Sequence, residues 1–278
     1  MPENYFSDTH YSLQAAVLTR VNLLISFKID AVKMEVIMAT YKRYRKEDSV
    51  SYSLGLTLTF ELLKYKAEYV RKIYVHSAMK PGDTLDKLTV LCKDAGIDMV
   101  YTDKIFHVLS GKENCYVIGE FSKFAGNLCI EESHVVLVNP SNAGNMGTIM
   151  RSALGFGIRQ IAIMRPAVDA FDPKTVRASM GAVFSIDFKY FDSFSEYMKQ
   201  FEEGRELYPF MLDAKKRIYD ICPQGVFSLI FGNEATGLPE QFADIGTSVV
   251  IPHSNKIDSL NLPIAASIAM YEATKGRV

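Results

Sequence analysis

The chain has 278 residues, 48% of them hydrophobic and 23% charged, which is long enough for two compact domains and ordinary for a soluble globular protein. With 31 Lys and Arg against 32 Asp and Glu, the charge balance excludes blanket electrostatic binding of nucleic acid but leaves room for a local basic patch. Four scattered cysteines form no CxxC pair and no Cys/His cluster, so buried reduced thiols are expected rather than a zinc site or a disulfide framework.

The opening MPENYFSDTH lacks the basic start and apolar run of a signal peptide. Val17 to Ile37 is apolar but interrupted by Arg20, Lys28, Asp30, Lys33 and Glu35, so no membrane span is expected and the cytoplasm is the expected compartment. Ser12 to Tyr41 predicts one or two helices. The run YKRYRKED, Tyr41 to Asp48, is compact and basic. It suits a solvated helix end, or a patch in which Lys42, Arg43, Arg45 and Lys46 contact RNA phosphates while tyrosines offer stacking faces.

LGLTLTFELLKYKAEYV then predicts a helix, KIYVHS a strand, Asp83 to Ala95 a helix, IDMVY a strand, KIFHVLSG a short helix and NCYVIGEF a strand. That alternation predicts a small α/β domain with a partly parallel sheet. The stretch SKFAGNLCIEES, Ser122 to Ser133, is the expected linker, dividing the chain into domains at 1–125 and 126–278.

Beyond it, HVVLV predicts a strand, Gly147 to Phe156 a helix and QIAIM a strand. DPKTVRASMG opens with Asp and Pro in helix-start positions. FSEYMKQFEE is helical, and PFMLD, FSLIFG and SVVIP are strands. LPIAASIAMYEATKG is a final helix with Pro263 near its start and Gly276 near its end. Strands this continuously apolar predict a sheet buried on both faces.

Ligands of open α/β sheets bind beyond the carboxyl ends of strands, and three such ends here carry loops dense in Gly, Asn, Ser or Pro. They are NPSNAGNMGTIMR (Asn139 to Arg151), FGNEATGLP (Phe231 to Pro239) and IPHSNKIDSLNLP (Ile251 to Pro263). Taken singly, Asn139 and Asn145 suit a turn, Glu234 an exposed turn carboxylate, and Ser259 and Asn261 a helix cap.

Taken in order, the loops resemble the three motifs of the SpoU family of RNA methyltransferases, within the SPOUT superfamily. The first motif is matched by Asn145, Gly147, Arg151, Phe156 and Gly157, the second by Gly232, Asn233, Glu234 and Gly237. The third is matched by Ile251, Pro252, Ser259, Leu260, Asn261, Tyr271 and Glu272, and VRASMGAVF (Val176 to Phe184) resembles the connecting segment. Three motifs in order and at the right spacing are specific where each alone is weak.

The resemblance implies an α/β fold whose C-terminal SPOUT domain holds a deep trefoil knot made by the second and third loops. It implies a homodimer with the site near its interface. The stretch from about Ser53 to Gly119 resembles, more weakly, the small α/β ribosomal-protein-like RNA-binding domain often fused to such enzymes. The implied reaction moves a methyl group from S-adenosylmethionine to a ribose 2′-hydroxyl of RNA, with no metal required. Ribosomal RNA is favoured over tRNA by analogy with that fused domain.

By the same resemblance Arg151 accepts the hydroxyl proton or steadies the developing alkoxide, Asn145 orients the ribose or Arg151, and Glu234, Ser259 and Asn261 hold Arg151 and shape the pocket. The cofactor is expected against Leu229, Phe231, Gly232, Asn233, Gly237, Ile251, Pro252, Ser259, Leu260 and Asn261, largely through backbone. His253 and Asn255 stand where the family usually has Met and Gly, and Leu262 and Pro263 stand where it often has Val and Ser. The rival reading is a catalytically inactive RNA-binding or ribosome-associated protein of the same fold, against which the joint presence of the motif residues speaks. A nucleotide-binding oxidoreductase is disfavoured because no GxGxxG follows an early strand.

Overall fold

The computed structural model describes residues 41, 43–110 and 114–276. The expected helices before Tyr41 and the candidate RNA contact Lys42 lie outside the described residues. The first half forms a four-stranded sheet of β1 (Val50–Leu54), β2 (Val70–Val75), β3 (Met99–Tyr101) and β4 (Val117–Ser122), in the order β1-β4-β2-β3. Only β2 and β3 run parallel; β4 is antiparallel to both of its neighbours, in line with the expectation of a partly parallel sheet.

Helices α1 (Leu56–Lys66) and α2 (Asp83–Asp94) supply Leu63, Leu88 and Cys92 to a cluster with Ile73, Val75 and Val117. The short helix α3 (Lys104–Leu109) supplies Ile105 and Phe106 to a second cluster with Tyr52, Tyr74 and Ile118. Strand β1 has no counterpart among the predicted elements. Its VSYSL buries two serines, which masks the strand signal. The Ser51 hydroxyl donates to the Phe171 carbonyl, and Ser53 Oγ lies 2.9 Å from Thr59 Oγ1, so burial leaves neither hydroxyl unpaired.

The second half is built on a five-stranded parallel sheet of β5 (His134–Val138), β6 (Gln160–Met164), β7 (Asp187–Phe191), β8 (Glu206–Pro209) and β10 (Phe227–Phe231), in the order β7-β6-β5-β10-β8. Every residue of β5, β6 and β10 is buried, as their near-continuous apolar composition predicts. Alternate residues face opposite clusters. Val135, Leu137, Leu229 and Phe231 pack with helices α4 (Ala143–Gly155) and α7 (Leu262–Thr274), while Val136, Val138 and Ile230 pack with helix α6 (Phe194–Phe201). A two-stranded parallel ribbon, β9 (Lys216–Arg217) with β11 (Val249–Val250), stands beside the main sheet.

Local signals explain most boundaries. Helix α4 begins four residues before the predicted start because Asn142 caps it, its side chain accepting from Asn145 N at 3.0 Å. Helix α5 (Pro173–Ala178) starts as Asp172 and Pro173 predict, with Asp172 Oδ1 accepting from Lys174 N at 2.8 Å. The strand predicted at PFMLD lies upstream, at Glu206–Pro209, and Phe210 instead bridges to Val249. β7 was not among the predicted strands, and SVVIP shortens to two residues. Of the cysteines, expected as buried thiols, Cys92 is buried but Cys129 and Cys222 are exposed. No helix among the described residues is long and apolar enough to cross a membrane.

The two sheets share a hydrophobic cluster. Leu58, Leu62 and Phe121 of the first half pack in the same core as Met146, Phe171 and Phe184 of the second. At the crossing of α4 and α5, a Cβ on Gly147 would stand 2.4 Å from the Thr175 carbonyl oxygen, so this motif glycine is needed for helix packing.

Candidate active site

Strands β5 and β10 are neighbours, and their outer partners are β6 and β8 respectively. The loops that leave their carboxyl ends, 139–142 and 232–238, therefore stand side by side at a crevice where α/β sheets collect ligands. The second loop folds back tightly. Asn233 N donates to the Gly237 carbonyl at 3.2 Å, and Gly237 N to the Asn233 carbonyl at 2.9 Å. A Cβ on Gly232 would lie 2.1 Å from the Gly237 carbonyl carbon, and Gly237 itself sits at φ +67°, so both glycines are conformationally required.

That fold-back presents Glu234 to the first loop. Its Oε2 accepts from Ser141 N at 3.0 Å and Ser141 Oγ at 2.7 Å, and its Oε1 accepts from Asn142 N and Asn145 Nδ2, both at 3.2 Å. Asn233 adds a second stitch, its Nδ2 donating to the Asn139 carbonyl at 2.7 Å. Partial burial pushes the Glu234 carboxyl up, but the donors from Ser141 and Asn145 outweigh it and hold its pKa below the ordinary carboxylate value. The carboxylate thus stays ionised at the amino end of α4, where a negative charge is stabilised.

On the other side of β10 a cleft of about 250 Å³ opens between Phe210–Leu212, the 232–237 turn and the segment from Val249 to Leu260. Phe210 and Phe231 stack at its base, 4.7 Å apart and 16° from parallel. Of the residues expected at the cofactor, Phe231, Gly232, Asn233, Gly237, Ile251, Ser259 and Leu260 line this cleft, as do Glu234 and His253. Leu229, Pro252 and Asn261 do not line it. Leu229 is fully buried in the sheet core and paired with strands on both sides, so its backbone is engaged in the ladder. Asn261 heads α7, where its carbonyl accepts from Ile264 N and Ala265 N, both at 3.0 Å, while its side chain makes no cap hydrogen bond.

The structure brings Asn145 and Glu234 into contact, and Glu234 and Ser259 both line the cleft. It leaves Arg151 apart. Arg151 is exposed on α4, and among the described residues no hydrogen bond or ion pair joins it to Glu234, Asn145, Ser259 or Asn261. The next residue, Ser152, meets Ser267 of α7 with hydroxyl oxygens 2.8 Å apart. In the basic run, Arg43, Arg45 and Lys46 are exposed, and Lys46 Nζ donates to the Ala167 carbonyl at 2.8 Å.

Several site residues were not predicted. Ser141 makes the shortest bond to Glu234, yet in sequence it is one more polar loop residue. Phe210 and Met211 read as part of a strand, and only the displacement of β8 frees them to wall the cleft.

This arrangement has close parallels. Residues 132–271 match the model of the SpoU rRNA Methylase family. An uncharacterized tRNA/rRNA methyltransferase of Synechocystis sp. is 30% identical over 51% of this chain and 52% of its own length. A 23S rRNA (uridine(2479)-2′-O)-methyltransferase of Streptomyces viridochromogenes is 31% identical over 52% of this chain and 53% of its own. The chain thus spans about half the length of these curated relatives. The crystal structure of the SpoU methyltransferase AviRb from Streptomyces viridochromogenes in complex with AdoMet superposes with a TM-score of 0.74 at 20% identity, covering 88% of this chain and 98% of that one, so the fold is shared. Because the matched region takes in half of the chain and all three loops of the crevice, this protein belongs to the SpoU rRNA methylase family.

Proposed function

We propose that the chain transfers a methyl group from S-adenosylmethionine to a ribose 2′-hydroxyl of RNA, with ribosomal RNA preferred over tRNA. The observation that carries this reading is the Glu234 clasp, which holds Asn145 in place beside the cleft that Ser259 and Leu260 wall. The cleft suits the cofactor. Aromatic and aliphatic side chains (Phe210, Phe231, Ile251, Leu260) offer a bed for a flat base, and the 232–237 backbone and Ser259 offer polar partners for a ribose and an amino acid. When bound, S-adenosylmethionine supplies a methyl already activated by its sulfonium.

What the protein must add is alignment and a more nucleophilic oxygen. Asn145, fixed by Glu234, orients the ribose. Arg151 steadies the charge developing on the 2′-oxygen, because a guanidinium remains protonated and serves poorly as a base. Among the described residues Arg151 has no hydrogen bond or ion pair, which leaves room for a partner from a second copy and supports a homodimer. On α7, Ile264, Ile268 and Tyr271 are 53%, 37% and 54% exposed and share one helix face. Ser267 on that face meets Ser152 beside Arg151, so a dimer closing over the stripe completes the surroundings of Arg151.

In this reading residues 126–278 are the catalytic domain, with loops 232–238 and 251–261 in a trefoil knot. Residues 1–125 bind substrate, through Arg43, Arg45 and Lys46 among others, and the protein works in the cytoplasm. The test pairs calorimetry with S-adenosylmethionine and mass mapping of ribose methylation in RNA from a deletion strain. Saturable cofactor binding and the loss of one ribose methyl are expected; absence of both ends the reading. Arg151→Ala should abolish transfer with cofactor affinity retained, and undiminished turnover would remove Arg151 from its role.

A further inference from the structure

Two cavities open between the two halves of the molecule, apart from the cleft above. One, about 680 Å³, is bordered by Arg43, His107, Lys174 and Arg177. The other, about 520 Å³, is bordered by Lys46, Lys174 and the 141–144 turn. Tyr44, Asp172 and Lys174 wall both, so the two form one groove. It runs from α3 and α5 to the turn that Glu234 clasps.

Four cations, Arg43, Lys46, Lys174 and Arg177, outnumber the two carboxylates of the groove, although the chain's formal net charge is −1. Arg43, Lys174 and Arg177 are exposed, and their side chains carry no hydrogen bond or ion pair among the described residues. Both carboxylates in the groove are engaged. Asp169 accepts from the Tyr44 hydroxyl, from Lys123 Nζ at 2.7 Å and from Phe171 N at 2.9 Å. Asp172 caps α5 through Lys174 N. The cations come from both halves, which are locked by a common core and by the Ser51 to Phe171 hydrogen bond. The groove walls are therefore preformed.

We propose that this groove is the track of the RNA strand, with phosphates on one side of the target nucleotide held by Arg43, Lys174 and Arg177. A charged groove that follows a backbone is the way single strands are held. Its end at the 141–144 turn delivers the strand to Asn145. The inference rests on the methyl-transfer reading for that direction. It gives Lys174 and Arg177, which the motifs left without a role, the task of positioning substrate.

The test uses the full-length protein carrying both Lys174→Ala and Arg177→Ala. Its binding of a fluorescein-labelled oligouridine of about 12 nucleotides is followed by anisotropy between about 50 and 200 mM salt. Losing two phosphate contacts to a single strand should lower the log–log salt slope by about 1.4. It should also weaken binding in low salt, whereas Lys199→Ala on α6 should change neither. An unchanged slope and affinity in the double variant overturns the proposal, as does failure of the unaltered protein to bind the oligouridine. Equal binding of an RNA duplex of the same length overturns the single-strand assignment. Calorimetry with S-adenosylmethionine separates the two readings: a protein that does not bind it loses the methyl-transfer reading while the groove result stands.

Discussion

The neighbouring strands β5 and β10 carry a polar cluster at each end, and the two clusters are made differently. At the amino end Arg205, only 8% exposed, donates from Nε to the Phe201 carbonyl and from Nη1 to that of Phe227, both at 3.1 Å. Its Nη2 donates to the carbonyls of Ile130 and Glu132 at 2.9 Å. Beside it His134 Nε2 lies 2.9 Å from the Cys129 carbonyl, which can only accept. The ring is therefore protonated there, leaving Nδ1 to accept from the Tyr197 hydroxyl at 2.9 Å. Burial first, and the Arg205 charge second, push the His134 pKa down to about 3.

At the carboxyl end Glu234 is half-buried and lines the cleft, and its donors are the amides and side chains of the neighbouring loop and α4. One cluster ties carbonyls together around a buried guanidinium. The other holds movable groups where a substrate can reach them. A charge enclosed by backbone acceptors serves the fold, whereas a charge holding side chains at an open crevice serves chemistry.

If that contrast is right, the amino-end cluster should respond most strongly in stability. Arg205→Met strands the buried carbonyls of Phe201 and Phe227 and should cost about 3–5 kcal/mol in urea unfolding; a loss under about 1 kcal/mol would mean that water replaces the guanidinium. The next effect is on pH dependence. Below about pH 6.5 the unfolded chain protonates His134 while the folded chain does not. Stability should therefore fall by up to about 1.4 kcal/mol per pH unit on going down toward pH 3, and His134→Gln should flatten that slope. A slope that persists in the variant would assign it to other groups.

Glu234→Ala should cost only about 1 kcal/mol of stability, because water can satisfy its exposed donors. Methyl transfer should nevertheless drop by about 100-fold as Asn145 loses its hold; equal losses in both assays would make the clasp merely structural. The smallest effect belongs to acid pH at this end. The lowered Glu234 pKa means that its contribution is complete above the unfolded carboxylate value and is lost as pH falls through the folded one. Cofactor affinity should therefore hold through the ordinary carboxylate range and weaken only below it, and a decline starting near neutrality would point to another group.

Much of this was legible along the chain. Strands β5, β6 and β10 stand out as apolar runs between loop signals, and α5 declares its start in Asp172 and Pro173. Asn145 and Glu234 came from motif order, and the structure joins them by a hydrogen bond. Strand β1 was hidden because its serines are satisfied by partners 120 and 6 residues away. Ser141 was hidden because its partner Glu234 is 93 positions further on. Arg205 and Arg151 are both isolated arginines in sequence, and only burial tells that one is a structural tie and the other an exposed side chain.

The sequence by itself determined the starts of α2, α5, α6 and α7, the apolar strands β5, β6 and β10, the glycines at the crevice turns and the family, because caps, periodicity and backbone freedom are local properties of a few neighbouring residues. The tertiary structure alone decided that loops 139–142 and 232–238 lie side by side, that Leu229 is engaged in the sheet, that Glu234 bonds to Ser141, Asn142 and Asn145 and that cations from both halves share a groove. Those facts follow from the strand order β7-β6-β5-β10-β8 and from the core that joins the two sheets, both set by packing between residues far apart in the chain.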